Sequence, residues 1–120
     1  MTRTFVMTSV FDRSWQALGL DDDDLKQLQC QLAAEPDAGD IIPGTHGCRK
    51  YRISLNNKGK SGGARVIYVD FITFEKIYLI EAYAKSEKEN LSKQEYTDIK
   101  NTVKLLEIAE REKYERRNEP

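Results

Sequence analysis

Three runs rich in β-branched and aromatic residues follow one another closely, and this order constrains the fold more than any other feature of the sequence. The runs cover residues 48–55, 64–71 and 76–83. The connections between them, 56–63 and 72–75, have the length of hairpin loops. Because strands joined by hairpins lie antiparallel to each other, the sequence predicts a small antiparallel sheet.

Helical patterns flank these strands. Upstream, a short β-type segment at 3–7 precedes two amphipathic runs, which open at Ser9 and at the aspartates 21–24. Their apolar positions step at helical spacing: Phe11, Trp15 and Leu18, then Leu25, Leu28 and Leu32. Downstream, Ser92 and Glu95 form a capping box that opens a third helix. The four aspartates could instead bind a metal or a partner, but capping and a solvated face explain them.

The predicted order is therefore β-α-α-β-β-β-α, an α+β class with an N-terminal helical hairpin and a C-terminal helix. A chain of 120 residues fits one domain, so we predict a single domain over 1–120. Past Glu110 the last helix has no apolar stripe, and we expect residues 112–120 to form a frayed tail.

Patterns that would bind a metal or cofactor do not occur. Cys30 and Cys48 are 18 residues apart without a Cys-x-x-Cys motif, and His46 is the only histidine. We expect two free, buried thiols, no metal and no cofactor. With no apolar run of 18 residues and no secretory leader at 1–10, we expect a cytoplasmic protein that makes no membrane contact.

The formal charge of −1 conceals a segregation of charge along the chain. Residues 43–69 carry six basic side chains and no acidic one, whereas 1–42 carry three basic and eight acidic side chains. Ordinary protein surfaces intersperse both signs. A solvated surface could explain the cationic segment, but a local patch of this kind also concentrates a positive field on a polyanion such as RNA.

Strand alternation predicts where these cations meet. Lys50 and Arg52 share one face of the first strand, and a hairpin would bring them back beside Arg65. The glycine-rich loop between the strands adds Lys58 and Lys60 but lacks the spacing of a Walker motif. Downstream of the last strand, Lys85 and Lys88 can approach the same sheet end. The loop histidine, His46, could be a general base or a structural residue.

Several segments resemble the RelE/HigB-like toxins of bacterial type II toxin–antitoxin modules. The resemblance covers residues 4–106 and rests on four segments: GKSGGARVIY at 59–68, IYL at 77–79, YAKSEKENLS at 83–92 and GTHGCRK at 44–50. In the last of these, His46 stands where the family carries a glycine. The combination is specific, whereas each piece alone is weak.

The resemblance implies a ribosome-dependent, metal-independent endoribonuclease that cleaves messenger RNA and so inhibits translation. In such toxins the 2′-hydroxyl of the message attacks the adjacent phosphate. This reaction needs a base at the 2′-oxygen, cations on the phosphorane and an acid at the leaving 5′-oxygen. The implied partners are the ribosome, the mRNA and a cognate antitoxin from the adjacent gene, of helix-turn-helix type.

Carried over by position, the resemblance implies two sets of site residues. The catalytic set is Arg65, Lys60, Lys85 and Lys58, with Arg65 on the scissile phosphate. The RNA-binding set is Lys50, Arg52, Arg49, Lys88 and Tyr83. Some RelE proteins place a catalytic tyrosine in the C-terminal segment, where the nearest match here is Ser92, so the general acid and base stay unassigned.

Two alternatives remain open. One is a ParE-like inhibitor of DNA gyrase, which shares the architecture but lacks the catalytic cations. The other is a noncatalytic RNA- or protein-binding module whose cations only position a backbone. The presence of Arg65 and the lysines favours the ribonuclease over the gyrase inhibitor.

Overall fold

The structure, a computed structural model, describes residues 2–55, 58–59 and 62–119. The elements are, in chain order, β1 (Thr4–Met7), α1 (Ser9–Ala17), α2 (Asp22–Ala34), β2 (Asp40–Ile41), β3 (Cys48–Ile53), β4 (Ala64–Phe71), a 3-10 turn (Ile72–Phe74), β5 (Lys76–Ala84) and α3 (Lys93–Arg117). Within these residues, none of the helices is both long and apolar enough to span a membrane.

The strands form one five-stranded sheet in the order β1-β5-β4-β3-β2. The α+β class is confirmed, and β3, β4 and β5 pair antiparallel as predicted. The sheet is nevertheless mixed, because β1 pairs parallel to β5, with Thr4 opposite Lys76. The whole helical hairpin and two β-hairpins separate these strands in sequence, which leaves ample chain for a parallel return. The second difference is β2, a two-residue strand that the predicted order lacks, where Asp40 pairs with Lys50.

Helices cover the sheet on both faces. On one face, α1 and α2 bury Phe11, Trp15, Leu28 and Leu32 against alternate residues of the sheet. On the other face, α3 buries Ile99 and Val103 against the residues in between, among them Ile67, Val69 and Tyr78. A sheet buried on both faces needs continuous apolar strands, which explains why β4 and β5 are so rich in valine, isoleucine and tyrosine.

Side-chain caps fix where the helices begin. Asp21 and Asp24 form a capping box at α2, which confirms the capping interpretation of the aspartates. Ser92 and Glu95 form the predicted box at α3. Helix α1 starts as expected at Ser9, although its cap is Thr8, whose hydroxyl accepts from the backbone N–H of Phe11.

The C-terminal segment differs from the frayed tail predicted for 112–120, because α3 continues through Arg117. Aromatic packing and a buried carboxylate replace the missing apolar stripe. The ring of Tyr114 lies 5.7 Å from that of Phe74, and Glu110 is almost fully buried against the sheet. A further correction concerns the cysteines: both are free, but only Cys48 is buried and Cys30 is exposed.

Candidate nucleic-acid interface

The strand register brings Arg52, Arg65 and Tyr83 side by side at one end of the sheet. Arg52 of β3 lies opposite Arg65 of β4, and Arg65 lies opposite Tyr83 of β5. Residues paired across neighbouring strands point to the same face, which here is the face covered by α3. The predicted meeting of the two arginines is therefore confirmed. We call Arg52, Arg65, Lys50, Lys85, Lys88 and Tyr83 the cationic sheet end.

Arg65 is buried, with 9% of its surface exposed. Its Nη1 donates to the backbone oxygen of Ala64 at 3.1 Å, and no described carboxylate forms an ion pair with its guanidinium. Beside it, burial raises the pKa of Tyr83 to about 12, with Tyr96 adding to the rise and the charge of Arg65 opposing it. A guanidinium without a described carboxylate partner is suited to bind an incoming anion.

Tyr83 is part of the packed base of the site, because only 4% of its surface is exposed. The ammonium of Lys88 lies 5.6 Å above the ring centroid, within the range of a cation–π contact. Lys88 also pairs with Glu95 at 3.0 Å, which ties it to the first turn of α3. Tyr83 was predicted to contact RNA, but its ring is buried. Lys88 is the more accessible of the two residues.

Two further predicted lysines flank this centre. Lys50 lies two residues before Arg52 on the same face, and its ammonium donates to the side-chain oxygen of Asn90 at 3.0 Å. Lys85 is exposed, and its backbone N–H donates to the oxygen of Gly63 at 3.1 Å, which joins it to the end of the hairpin loop. Gly63 has φ +69°, and a Cβ there would collide with the oxygen of Ile53, so the close approach requires glycine.

The remaining predicted residues lie elsewhere. Arg49 points to the opposite face, where its Nη1 donates to the backbone oxygens of Asp37 and Gly39. Lys58 pairs with Asp24 at 3.0 Å and with Asp21 at 3.7 Å, at the start of α2. The hydrogen bond to Asp24 raises the pKa of Lys58. This environment argues against proton transfer by Lys58, because neighbouring carboxylates stabilise its charged form. Lys60 lies outside the described residues.

Glu81 is a member of this surface that the sequence reasoning missed. It lies opposite Ile67 on β5, two residues before Tyr83, and therefore points to the same face. Burial raises the pKa of Glu81, while the charge of Lys88 opposes the rise. Alternation along β5 was the signal that could have found it, because it places Glu81 and Tyr83 together.

His46 has a structural role in the loop before β3. Its φ of 62° lies in the left-handed region, a conformation that favours glycine. Its Nε2 lies 3.1 Å from Glu107 Oε1, so the side chain links the loop to α3. Among the residues that the structure covers, no three His, Cys, Asp or Glu side chains are grouped so as to hold a metal ion.

The fold and the cationic sheet end define a small α+β protein with a cluster of positive charges at one end of its sheet, in which Arg65 is buried and Arg52 and Lys85 are exposed. Comparison with known proteins then places it. The family model of the RelE toxin of the RelE/RelB toxin–antitoxin system matches residues 2–119. The chain belongs to the RelE toxin family.

Solved structures agree with this fold. A mutant of the E. coli toxin RelE in the free state aligns with a TM-score of 0.51 and 17% identity, covering 74% of this chain and 90% of that one. A chain of the intact E. coli RelBE toxin–antitoxin complex aligns with a TM-score of 0.52 and 16% identity, covering 69% and 96%. At these identities the likeness shows the fold alone.

Proposed function

We propose that this RelE family member is a cytoplasmic, ribosome-dependent endoribonuclease that cleaves messenger RNA without a metal and so inhibits translation. The observation that carries the proposal is the placement of Arg65. It is a buried guanidinium with no described carboxylate partner, and Arg52 lies beside it on the neighbouring strand. A phosphate is the natural partner for paired arginine N–H groups in such a position.

The proposed reaction is attack by the 2′-oxygen of the message on the adjacent phosphorus. The 2′-hydroxyl loses its proton to a base, the new O–P bond forms, and the 5′-oxygen leaves with a proton from an acid. The products are a 2′,3′-cyclic phosphate and a 5′-hydroxyl. Arg65 would stabilise the charge that develops on the phosphorane oxygens.

The other roles follow from position. Lys50, Arg52 and Lys88 would hold the RNA backbone on either side of the scissile phosphate. Lys85, which is exposed, and Lys60, which precedes β4 in sequence, are proposed to assist the proton transfers. The pairing of Lys58 with Asp24 supports a structural role for that residue instead.

The proposed partners are the ribosome, its message and a cognate antitoxin from the adjacent gene, of helix-turn-helix type. The test is a translation assay on purified ribosomes with the message mapped for cuts by primer extension. We expect cuts only when ribosomes are present, and growth arrest in bacteria that the adjacent frame relieves. Intact message with inhibited gyrase would favour the ParE-like alternative, and RNA binding without cuts would favour the noncatalytic module.

A further inference from the structure

A second group of cations lies at the opposite end of the sheet from Arg65. A cavity of about 400 Å³ is lined by Lys76 of β5 and by Lys113, Arg116 and Arg117 of α3. We call these four residues the distal basic pocket. No carboxylate is among its described lining residues. Since β5 has nine residues, the two ends of this strand are about 26 Å apart at roughly 3.3 Å per residue.

The pocket is held in shape by a buried carboxylate. Glu110 is 2% exposed, pairs with Lys76 at 2.6 Å and lies 3.6 Å from Lys113. The hydroxyl of Tyr78 donates to the same carboxylate at 3.0 Å. These contacts bind the last turns of α3 to the start of β5, so the backbone that carries the four cations is held in place and Lys76 is anchored.

Aromatic contacts fix the same turns from another side. Tyr114 packs on Phe74, and the guanidinium of Arg111 lies 5.4 Å from the Phe74 ring centroid. Basic residues in a last helical turn also favour the helix dipole, which accounts for part of the charge. The dipole does not account for Lys76, which comes from the sheet and faces the same cavity.

Arg116 and Arg117 are the residues of the pocket whose charges have no described ion-pair partner. Glu110 balances one charge of the lysine pair, whereas neither arginine forms an ion pair with a described carboxylate. Their spacing from Lys113 places all three on one face of α3. Cations from two elements around one cavity, two of them without a described ion-pair partner, match phosphate groups along a nucleic-acid backbone.

We infer that the distal basic pocket binds backbone phosphates of folded RNA, apart from the message bound at the cationic sheet end. The inference rests on the proposed function in taking that RNA to be part of the ribosome. The distance between the two sites indicates a second anchor that orients the protein rather than an extension of the cleavage site. Its contacts would be sequence-independent.

The test compares two double variants of the full chain that remove the same charge. Arg116→Gln/Arg117→Gln changes the pocket, and Lys100→Gln/Lys104→Gln changes α3 outside it. The probes are vacant ribosomes and a free RNA hairpin, with binding measured by fluorescence anisotropy over a series of salt concentrations. Circular dichroism checks that both variants fold.

We expect the arginine variant to bind vacant ribosomes roughly tenfold more weakly, with a salt slope smaller by about two, since each duplex phosphate contact contributes about 0.9 to that slope. The lysine variant should resemble the wild type. If both variants bind like the wild type, the inference is overturned and the proposed function stands. A third outcome is that the wild type shows no affinity for ribosomes while the arginine variant binds the RNA hairpin more weakly than the lysine variant does. In that case the proposed function fails and RNA binding by the distal basic pocket is supported.

Discussion

The position of Arg65 in the sheet makes its guanidinium available to an anion. Arg65 lies in the acid-free segment 43–69, and the strand register places Arg52 and Tyr83 opposite it rather than an acid. Lys58, in the same segment, shows the contrast. It forms an ion pair with Asp24, which is distant in sequence, so its charge is not available to a ligand. Charge segregation along the chain therefore favours a cationic site, but tertiary contacts decide which cations remain available.

We predict that Arg65→Ala lowers message cleavage by about 10²- to 10³-fold, the typical effect of removing one preorganised group from a developing oxyanion. Arg65→Lys should recover little, because an ammonium cannot make the paired contact of a guanidinium. The measurement is single-turnover cleavage on ribosomes programmed with a defined codon.

The matched control for this prediction is Arg49→Ala, which removes an arginine from the opposite face of β3. Its cleavage rate should stay close to that of the wild type. Circular dichroism would reveal a variant that unfolds, since Arg65 is buried. Wild-type cleavage by folded Arg65→Ala would refute the assignment even within this family.

At the scale of elements, local pattern was sufficient for some parts of the fold and not for others. The strands β3, β4 and β5 were predictable because each is a continuous run, and the caps at Asp21 and Ser92 because they need only neighbouring residues. The parallel pairing of β1 depends on a distant segment, and β2 has only two residues, which is too short to give a pattern. Likewise, the end of α3 was misjudged because Glu110, a charged residue, is what packs there.

The attachment of α3 to the sheet gives a prediction with a pH dependence. Burial works to raise the pKa of Glu110, but the bonds from Lys76 and Tyr78 outweigh it, and its pKa lies below the ordinary 4.5. A lowered carboxyl pKa stabilises the fold above the ordinary value, and this contribution is lost as the pH falls through the folded pKa. Glu110→Gln should therefore cost about 1.5–3 kcal/mol near neutral pH, the usual range for hydrogen bonds to charged groups.

Urea unfolding of Glu110→Gln and wild type at several pH values measures this effect. The difference in free energy of unfolding should be full near pH 7 and shrink below the ordinary pKa. Glu112→Gln, a change of the same kind at an exposed position of α3, should show no such difference. A constant difference across the pH range would mean that Glu110 contributes by packing and not by charge.

At the scale of the whole molecule, charge is arranged by place while its sum stays near zero. The formal net charge is −1, yet cations gather at both ends of β5. Acids are gathered elsewhere, as in the first turn of α2. A nearly neutral protein with two positive ends would approach a polyanion in a preferred orientation instead of coating it.

This arrangement leads to a prediction about the reaction itself. The protein's own cations can stabilise the phosphorane, and the message supplies its own nucleophile, so cleavage should need the 2′-hydroxyl next to the scissile phosphate. A message with one 2′-deoxy nucleotide at that position should stay intact on ribosomes that cleave the all-ribose message. The same substitution one codon downstream is the control and should leave cleavage unchanged. A metal-activated water would instead cut the deoxy message as well, leaving a terminal phosphate and a free hydroxyl. Mapping the ends of the all-ribose products completes the test, because only attack by the 2′-oxygen yields a 2′,3′-cyclic phosphate.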